Sequence, residues 1–227
     1  MILEQRVISR EDYHSYYEEL DSYKTSYARF CEELAPQLMS TLGKHPIKPI
    51  EDRGNDFNRT IIDFSDGSNV TKYTLSFAML RDSEVELSEK RVLQVGCGPG
   101  LFLAYLRDTF GARILGIDHS KYMVSRAKKD GGLSVVQRDV FDLPLDQESF
   151  DIIIAHNFLS DRYFEDVQVL MILKEVWGIL SQGGILVAGN SNIPEEKIEL
   201  VPFKKGYQYT FPESLLTRNC DHYIFEK

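Results

Sequence analysis

Cysteine is scarce in this 227-residue chain: Cys31, Cys97 and Cys220 are odd in number, far apart and without a CxxC pair. That spacing excludes a disulfide framework and a clustered-thiolate metal site, and the expected compartment is the reducing cytoplasm. Long apolar runs are missing too. The start, MILEQRVISRED, has no apolar signal core, and nothing approaches the length that crosses a bilayer, so neither secretion by that route nor a membrane partner is expected. Positive charge is the minority: 26 Lys and Arg face 35 Asp and Glu, for a net charge of -9 and a pI near 5.1. The basic clusters Lys128-Lys129 and Lys204-Lys205 are too short to offset that balance, which disfavours a nucleic-acid partner. Repeats and low-complexity tracts are absent. What remains is room for one α/β domain with an appendage, as a monomer or homodimer.

Two textures divide the chain. In the first, Tyr13, Tyr16, Tyr17, Leu20, Tyr23, Tyr27, Phe30 and Leu34 recur at steps of three and four, which predicts an amphipathic helix. A second short helix is expected to reach Leu42, and residues 43–68, with Pro46, Pro49, Gly54 and Gly67, read as loop holding one strand at 60–64. From Glu89 onward, strands alternate with helices. Strands are expected at Arg91–Val95, 113–117, 133–137, 150–155 and 185–188, and helices at Leu101–Phe110, 121–129 and 164–180. That alternation implies right-handed crossovers and a mainly parallel Rossmann-like sheet with helices on both faces. The tail, at 207–211 and 222–225, reads as an antiparallel edge pair around a short helix at 212–218. The expected division is a helical cap or lid at 1–70 and a Rossmann-like domain at 71–227.

Gly96, Gly98 and Gly100 stand after one strand and before a helix, where backbone amides can approach a ligand closely. Asp118 ends the next strand, roughly twenty residues on, where a carboxylate can accept both hydroxyls of a ribose. The two features together point to adenosine. A pyrophosphate-binding G-x-G-x-x-G turn would need glycine at Leu101, so the G-x-G-x-G spacing favours a methionine-bearing nucleoside over a nicotinamide dinucleotide.

These residues carry a resemblance. VLQVGCGPG resembles the first motif of class I S-adenosylmethionine-dependent methyltransferases, and GIDHSKYMVSRA is similar to their second. RDVFDLPLDQESFDIII and LKEVWGILSQGGILV are similar to the later motifs, so the likeness covers residues 91–187, about two fifths of the chain. It implies S-adenosyl-L-methionine as cofactor, with Gly96, Cys97, Gly98 and Gly100 at its methionine portion, Asp118 at its ribose, and Asp139 beside Val140 at its adenine. It further places His119, Met123 and Ala155 at the cofactor. The chain departs from the family at Gln94, where an acidic residue is usual, and at Trp177 and Gln182, where Arg and Pro are usual.

Each of these residues also has a plainer role to weigh. Asp118 or Ser120 can cap the helix that starts at Lys121, Asp139 can be a surface carboxylate, Cys97 is expected to be a small packed residue, and the tyrosine stripe can simply pack on the domain. The resemblance implies that such a stripe can also serve as a lid, its rings facing a sulfonium. His14, His45, His119 and His222 show no partner and are expected on the surface or in loops. No metal site is expected. After the fourth strand the chain reads Ala155-His156-Asn157-Phe158, without the Asn/Asp-Pro-Pro-aromatic motif of DNA amino-methylating enzymes and without the paired glutamates of arginine methylators. The leading expectation is therefore methyl transfer to an oxygen or nitrogen of a small-molecule acceptor, with His156 as candidate base. The alternative is a cofactor-binding regulatory or partner subunit that has lost catalysis, for which Gln94 is the support.

Overall fold

The computed structural model describes residues 3–34, 67–141, 143, 146–156, 158–159, 164–211 and 221–227. The short helix to Leu42, the strand at 60–64 and the helix at 212–218 fall outside them. Among the described residues one sheet is built from β1 (Leu3–Val7), β2 (Arg91–Val95), β3 (Arg113–Asp118), β4 (Val135–Gln137), β5 (Phe150–Ile154), β6 (Leu180–Ser191), β7 (Lys205–Thr210) and β8 (Asp221–Glu226). The helices are α1 (Arg10–Leu34), α2 (Gly67–Asp82), α3 (Leu101–Phe110), α4 (Lys121–Gly131), α5 (Asp166–Ile179) and α6 (Glu195–Ile198).

Across the sheet the order is β1-β7-β8-β6-β5-β2-β3-β4. β8 runs antiparallel to both neighbours and every other pair is parallel. This is a mixed, mainly parallel Rossmann-like sheet. From β2 the chain steps outward through β3 and β4, then crosses back to β5 and moves the other way, so the crevice beyond the carboxyl ends of β2 and β5 is the switch point where ligands bind in such folds.

Short apolar strands form here because both faces are covered. Val92, Ile152, Ile154 and Val187 pack with Leu20 of α1, Phe77 and Met79 of α2, and Phe102 of α3. On the other face Leu93, Val95, Ile153 and Leu186 pack with Val169, Leu173 and Val176 of α5. Each such side chain, taken fully out of water, contributes roughly 1.5–3 kcal/mol. Helix ends obey local chemistry. Ser120 caps α4 by accepting from the Met123 amide, and Gly111 and Gly132, at φ 71° and 56°, close α3 and α4. The Nζ of Lys227 donates to the Leu180 carbonyl at 2.7 Å and lies 4.3 Å above the Trp177 ring, placing a cation at the end of α5.

Two elements were not expected. β1 pairs in parallel with β7, from Leu3↔Gly206 to Val7↔Thr210, so the antiparallel tail pair is not the last of the sheet. α2 is the other, and the expected division at 70/71 falls inside it. The tyrosine helix is present as α1 and leans on α2. Tyr13 meets Phe211 edge-on at 6.3 Å, Tyr16 meets Phe77 at 5.6 Å, and Tyr23 meets Tyr105 at 5.1 Å. Tyr17 packs against the same core, and Tyr27 lies on the same helix.

His222, expected on the surface, is a correction: it is 1% exposed on β8, with its Nδ1 accepting from the Asn190 amide at 3.1 Å. Burial lowers its pKa to about 4. Between pH 6.5 and 4 the unfolded chain therefore takes up a proton that the folded chain refuses. Stability supplied by the neutral ring is full above pH 6.5 and falls by about 3 kcal/mol on acidification to pH 4. Urea unfolding at pH 7 and pH 4 should show that loss in the wild type and most of it removed in His222→Gln. Equal losses in both proteins would show that another group sets the acid limit.

Candidate active site

β2 ends in a turn whose three glycines, Gly96, Gly98 and Gly100, have φ of 64°, 55° and 84°. Side chains are excluded there for different reasons. At Gly100 a Cβ would lie 2.2 Å from Leu133 Cδ1, whereas at Gly98 it would meet nothing within 4 Å. The turn is thus packed behind and open at Gly98, the form a ligand-approaching backbone requires.

Asp118 joins this turn to the one after β3. Its Oδ2 accepts from the Gly98 amide at 2.9 Å and its Oδ1 from the Ser120 amide at 2.8 Å. Each carboxylate oxygen keeps a further lone pair for a donor, which suits a vicinal diol. Burial pushes the Asp118 carboxyl above its usual range, against the opposing pull of the Ser120 and Gly98 amides and of nearby His119. The capping role is thus filled by Ser120, whose Oγ accepts from the Met123 amide at 3.4 Å.

The other expected residues divide by position. Val140, Met123 and Ala155 are buried, His119 is exposed, and Asp139 is exposed with its Oδ1 accepting from the Phe141 amide at 3.1 Å. Cys97 is fully buried, and burial raises its thiol well above the usual value, as befits a packed residue and not a nucleophile. Gln94 is 1% exposed and neither end of its amide has a hydrogen-bond partner among the described residues. Strand alternation puts it on the Val92 face, under α1 to α3. An orphaned buried amide beside an open glycine turn is the form a ligand site takes before its ligand supplies the missing bonds.

His156 follows β5 and is 6% exposed, with Nδ1 2.6 Å from the Oγ of Ser76 on α2. The Tyr73 ring, also on α2, lies 5.4 Å from the His156 ring and stacks on Phe102 at 5.4 Å. On the opposite side of the cleft Phe158 stands over Gly96, where a Cβ would come within 2.5 Å of its ring. Phe164 packs 5.1 Å from Phe158 and 5.8 Å from Phe141. Sequence reasoning missed Ser76, Tyr73 and this phenylalanine group, because only the tertiary fold brings them to the glycine turn. A separate cavity, lined by Val85, Lys90, Asp151, Gln182 and Ile185, lies at the opposite, amino ends of the strands, and there Asp151 is engaged by Arg91 at 2.8 Å.

Residues 93–188 match a family model described as "Methyltransferase domain". Over 127 residues the chain is 31% identical to a fatty-acid O-methyltransferase of Mycolicibacterium smegmatis, covering 54% of this chain and 45% of that protein. It is 31% identical over 97 residues to a malonyl-[acyl-carrier protein] O-methyltransferase of Enterobacter lignolyticus, covering 42% and 37%. The chain spans less than half the length of these curated relatives. A SAM-dependent methyltransferase from Archaeoglobus fulgidus shares the fold, with a TM-score of 0.53 at 16% identity over 69% of this chain and 94% of that one.

Proposed function

We propose that the chain, whose residues 93–188 match a methyltransferase-domain model, transfers a methyl group from S-adenosyl-L-methionine to an oxygen or nitrogen of a small molecule. The observation that carries this reading is the Asp118 carboxylate, bonded to Gly98 and Ser120 with lone pairs to spare beside an open glycine turn. Asp118 would hold the ribose hydroxyls, the Gly98 backbone and the Gln94 amide the methionine end, and Asp139 with Val140 the adenine. When bound, the cofactor supplies a methyl group already activated on sulfonium, so no covalent enzyme intermediate is needed. The chain's own work is alignment, exclusion of water and removal of a proton.

Those tasks fall to named residues. Phe158, Phe164 and Phe141 offer an apolar wall for the acceptor, and His156 takes its proton. α1 and α2 serve as the cap on the sheet: α2 closes the cleft with Tyr73, and α1 braces it from behind through Tyr13, Tyr16, Tyr17 and Tyr23. The acidic charge supports a small-molecule partner over nucleic acid, and we place the protein in the cytoplasm as a monomer or homodimer.

The test is ligand-dependent melting. At a hundredfold excess over Kd a ligand of the folded state adds about 2.7 kcal/mol, or roughly 5–10 °C in a chain of this size. S-adenosylmethionine and S-adenosylhomocysteine should each produce such a rise, and NADH none. Flat melting curves with both adenosyl ligands at millimolar concentration would end this reading. Gln94 favours a second one, a binding subunit without turnover, because a neutral amide replaces the usual acidic residue. Binding by calorimetry with no methylation across a broad acceptor panel would favour it.

A further inference from the structure

α2 is apolar where it meets the sheet: Leu75, Phe77, Ala78, Met79 and Leu80 are all buried. Ser76 interrupts this run at 0% exposure, where a hydroxyl without a partner would cost about 1–3 kcal/mol. Its partner is His156, 80 positions away, at 2.6 Å through Nδ1. A third residue makes room for the pair. At Gly189 on β6 a Cβ would fall 2.4 Å from Ser76 Oγ and 2.9 Å from His156 Nδ1, so any larger residue would push into the bond. Tyr73, one helical turn before Ser76, lies against the same imidazole. α2 and β6 therefore converge on one ring nitrogen of a residue that follows β5.

The bond has two possible directions: Ser76 Oγ donates to Nδ1 of a ring whose hydrogen is on Nε2, or accepts from a ring whose hydrogen is on Nδ1. Only the second leaves the Nε2 lone pair available for an acceptor's proton, so the base reading of His156 requires it.

We infer that Ser76 is a positioning residue for His156, holding the imidazole as the Nδ1–H tautomer so that Nε2 accepts the proton of the methyl acceptor. This rests on the reading of His156 as the base. In the reaction the acceptor's O–H or N–H bond breaks, its electron pair forms the new bond to the methyl carbon as the carbon–sulfur bond breaks, and its proton passes to Nε2. The ring becomes an imidazolium whose Nδ1–H still points at the Ser76 oxygen. Because Ser76 belongs to α2, the bond also ties the base to the element that covers the cleft.

The tautomer can be read without knowing the acceptor. In long-range ¹H–¹⁵N spectra of the full chain near pH 8, the His156 signals are those lost in His156→Gln. They should show a protonated Nδ1 and an unprotonated Nε2. Ser76→Ala should release the ring from that single form, and Gly189→Ala, which breaks the same bond from the other side, should do the same. Unfolded-state resonances would reveal a variant that fails to fold, and the other then carries the test. Turnover of Ser76→Ala should fall at least tenfold, its pH profile shifting with the tautomer while the acceptor KM stays near wild type. A wild-type ring protonated on Nε2, or a Ser76→Ala ring still fixed as Nδ1–H, overturns the assignment. If the tautomer behaves as stated but His156→Gln keeps normal turnover, the base reading fails and the Ser76 pairing stands as structure alone.

Discussion

Asp118→Ala should cost the chain its adenosyl ligands, with affinity for S-adenosylhomocysteine falling on the order of 100- to 10,000-fold. Hydrogen bonds to a charged acceptor contribute about 1.5–3 kcal/mol each, and a ribose would make two here. The same substitution also frees the Gly98 and Ser120 amides, so part of the loss comes through the turn. Asp139→Ala provides the contrast. Its carboxylate is exposed and bonds only the Phe141 amide among the described residues, so its removal should weaken binding tenfold at most. Titration calorimetry on the two variants separates them. A Kd for Asp118→Ala within threefold of wild type would mean that the ribose is held elsewhere.

His156→Gln should lower turnover roughly a hundredfold or more while cofactor affinity hardly changes, because general-base catalysis contributes about 10²–10⁴ and the substitution leaves the glycine turn and Asp118 intact. Glutamine keeps a polar group of similar reach, so Ser76 still has a partner and the protein should melt near the wild-type temperature. The measurement is kcat and KM across pH on an acceptor found by the panel. If His156 only shapes the pocket, the acceptor KM rises and kcat stays. Near-normal kcat at every pH would remove the base role altogether.

Much of the domain could be read in advance because its signals are local. β2 matches its expected span of Arg91–Val95, α3 its span of Leu101–Phe110, and β3, α4 and α5 lie within two residues of theirs. Each is a short run whose period and end signals lie inside it, such as Ser120 before α4. β1 was not legible for the opposite reason: Leu-Glu-Gln-Arg-Val has little to mark it as a strand until β7 lies beside it. α2 escaped because its stretch 74–80 is buried on every side, with Thr74 and Ser76 as hidden as Phe77, so no polar face there betrays a helical period. In the site, the glycine turn and Asp118 are neighbours in pattern as well as in space. Ser76, Gly189 and His156 are not, and only the packing of α2 across β5 and β6 brings them into one contact.

The pairing of Leu3 with Gly206 sets a schedule for the chain as it is made. At about 5–20 residues per second, β1 emerges from the ribosome roughly 10–40 s before β7 exists to receive it. During that wait α1 follows with its aromatic side uncovered, since Tyr13, Tyr16 and Tyr23 find Phe211, Phe77 and Tyr105 only later. The nascent chain thus carries a sticky segment until β7 arrives, and a late act of folding is to lay β1 beside β7.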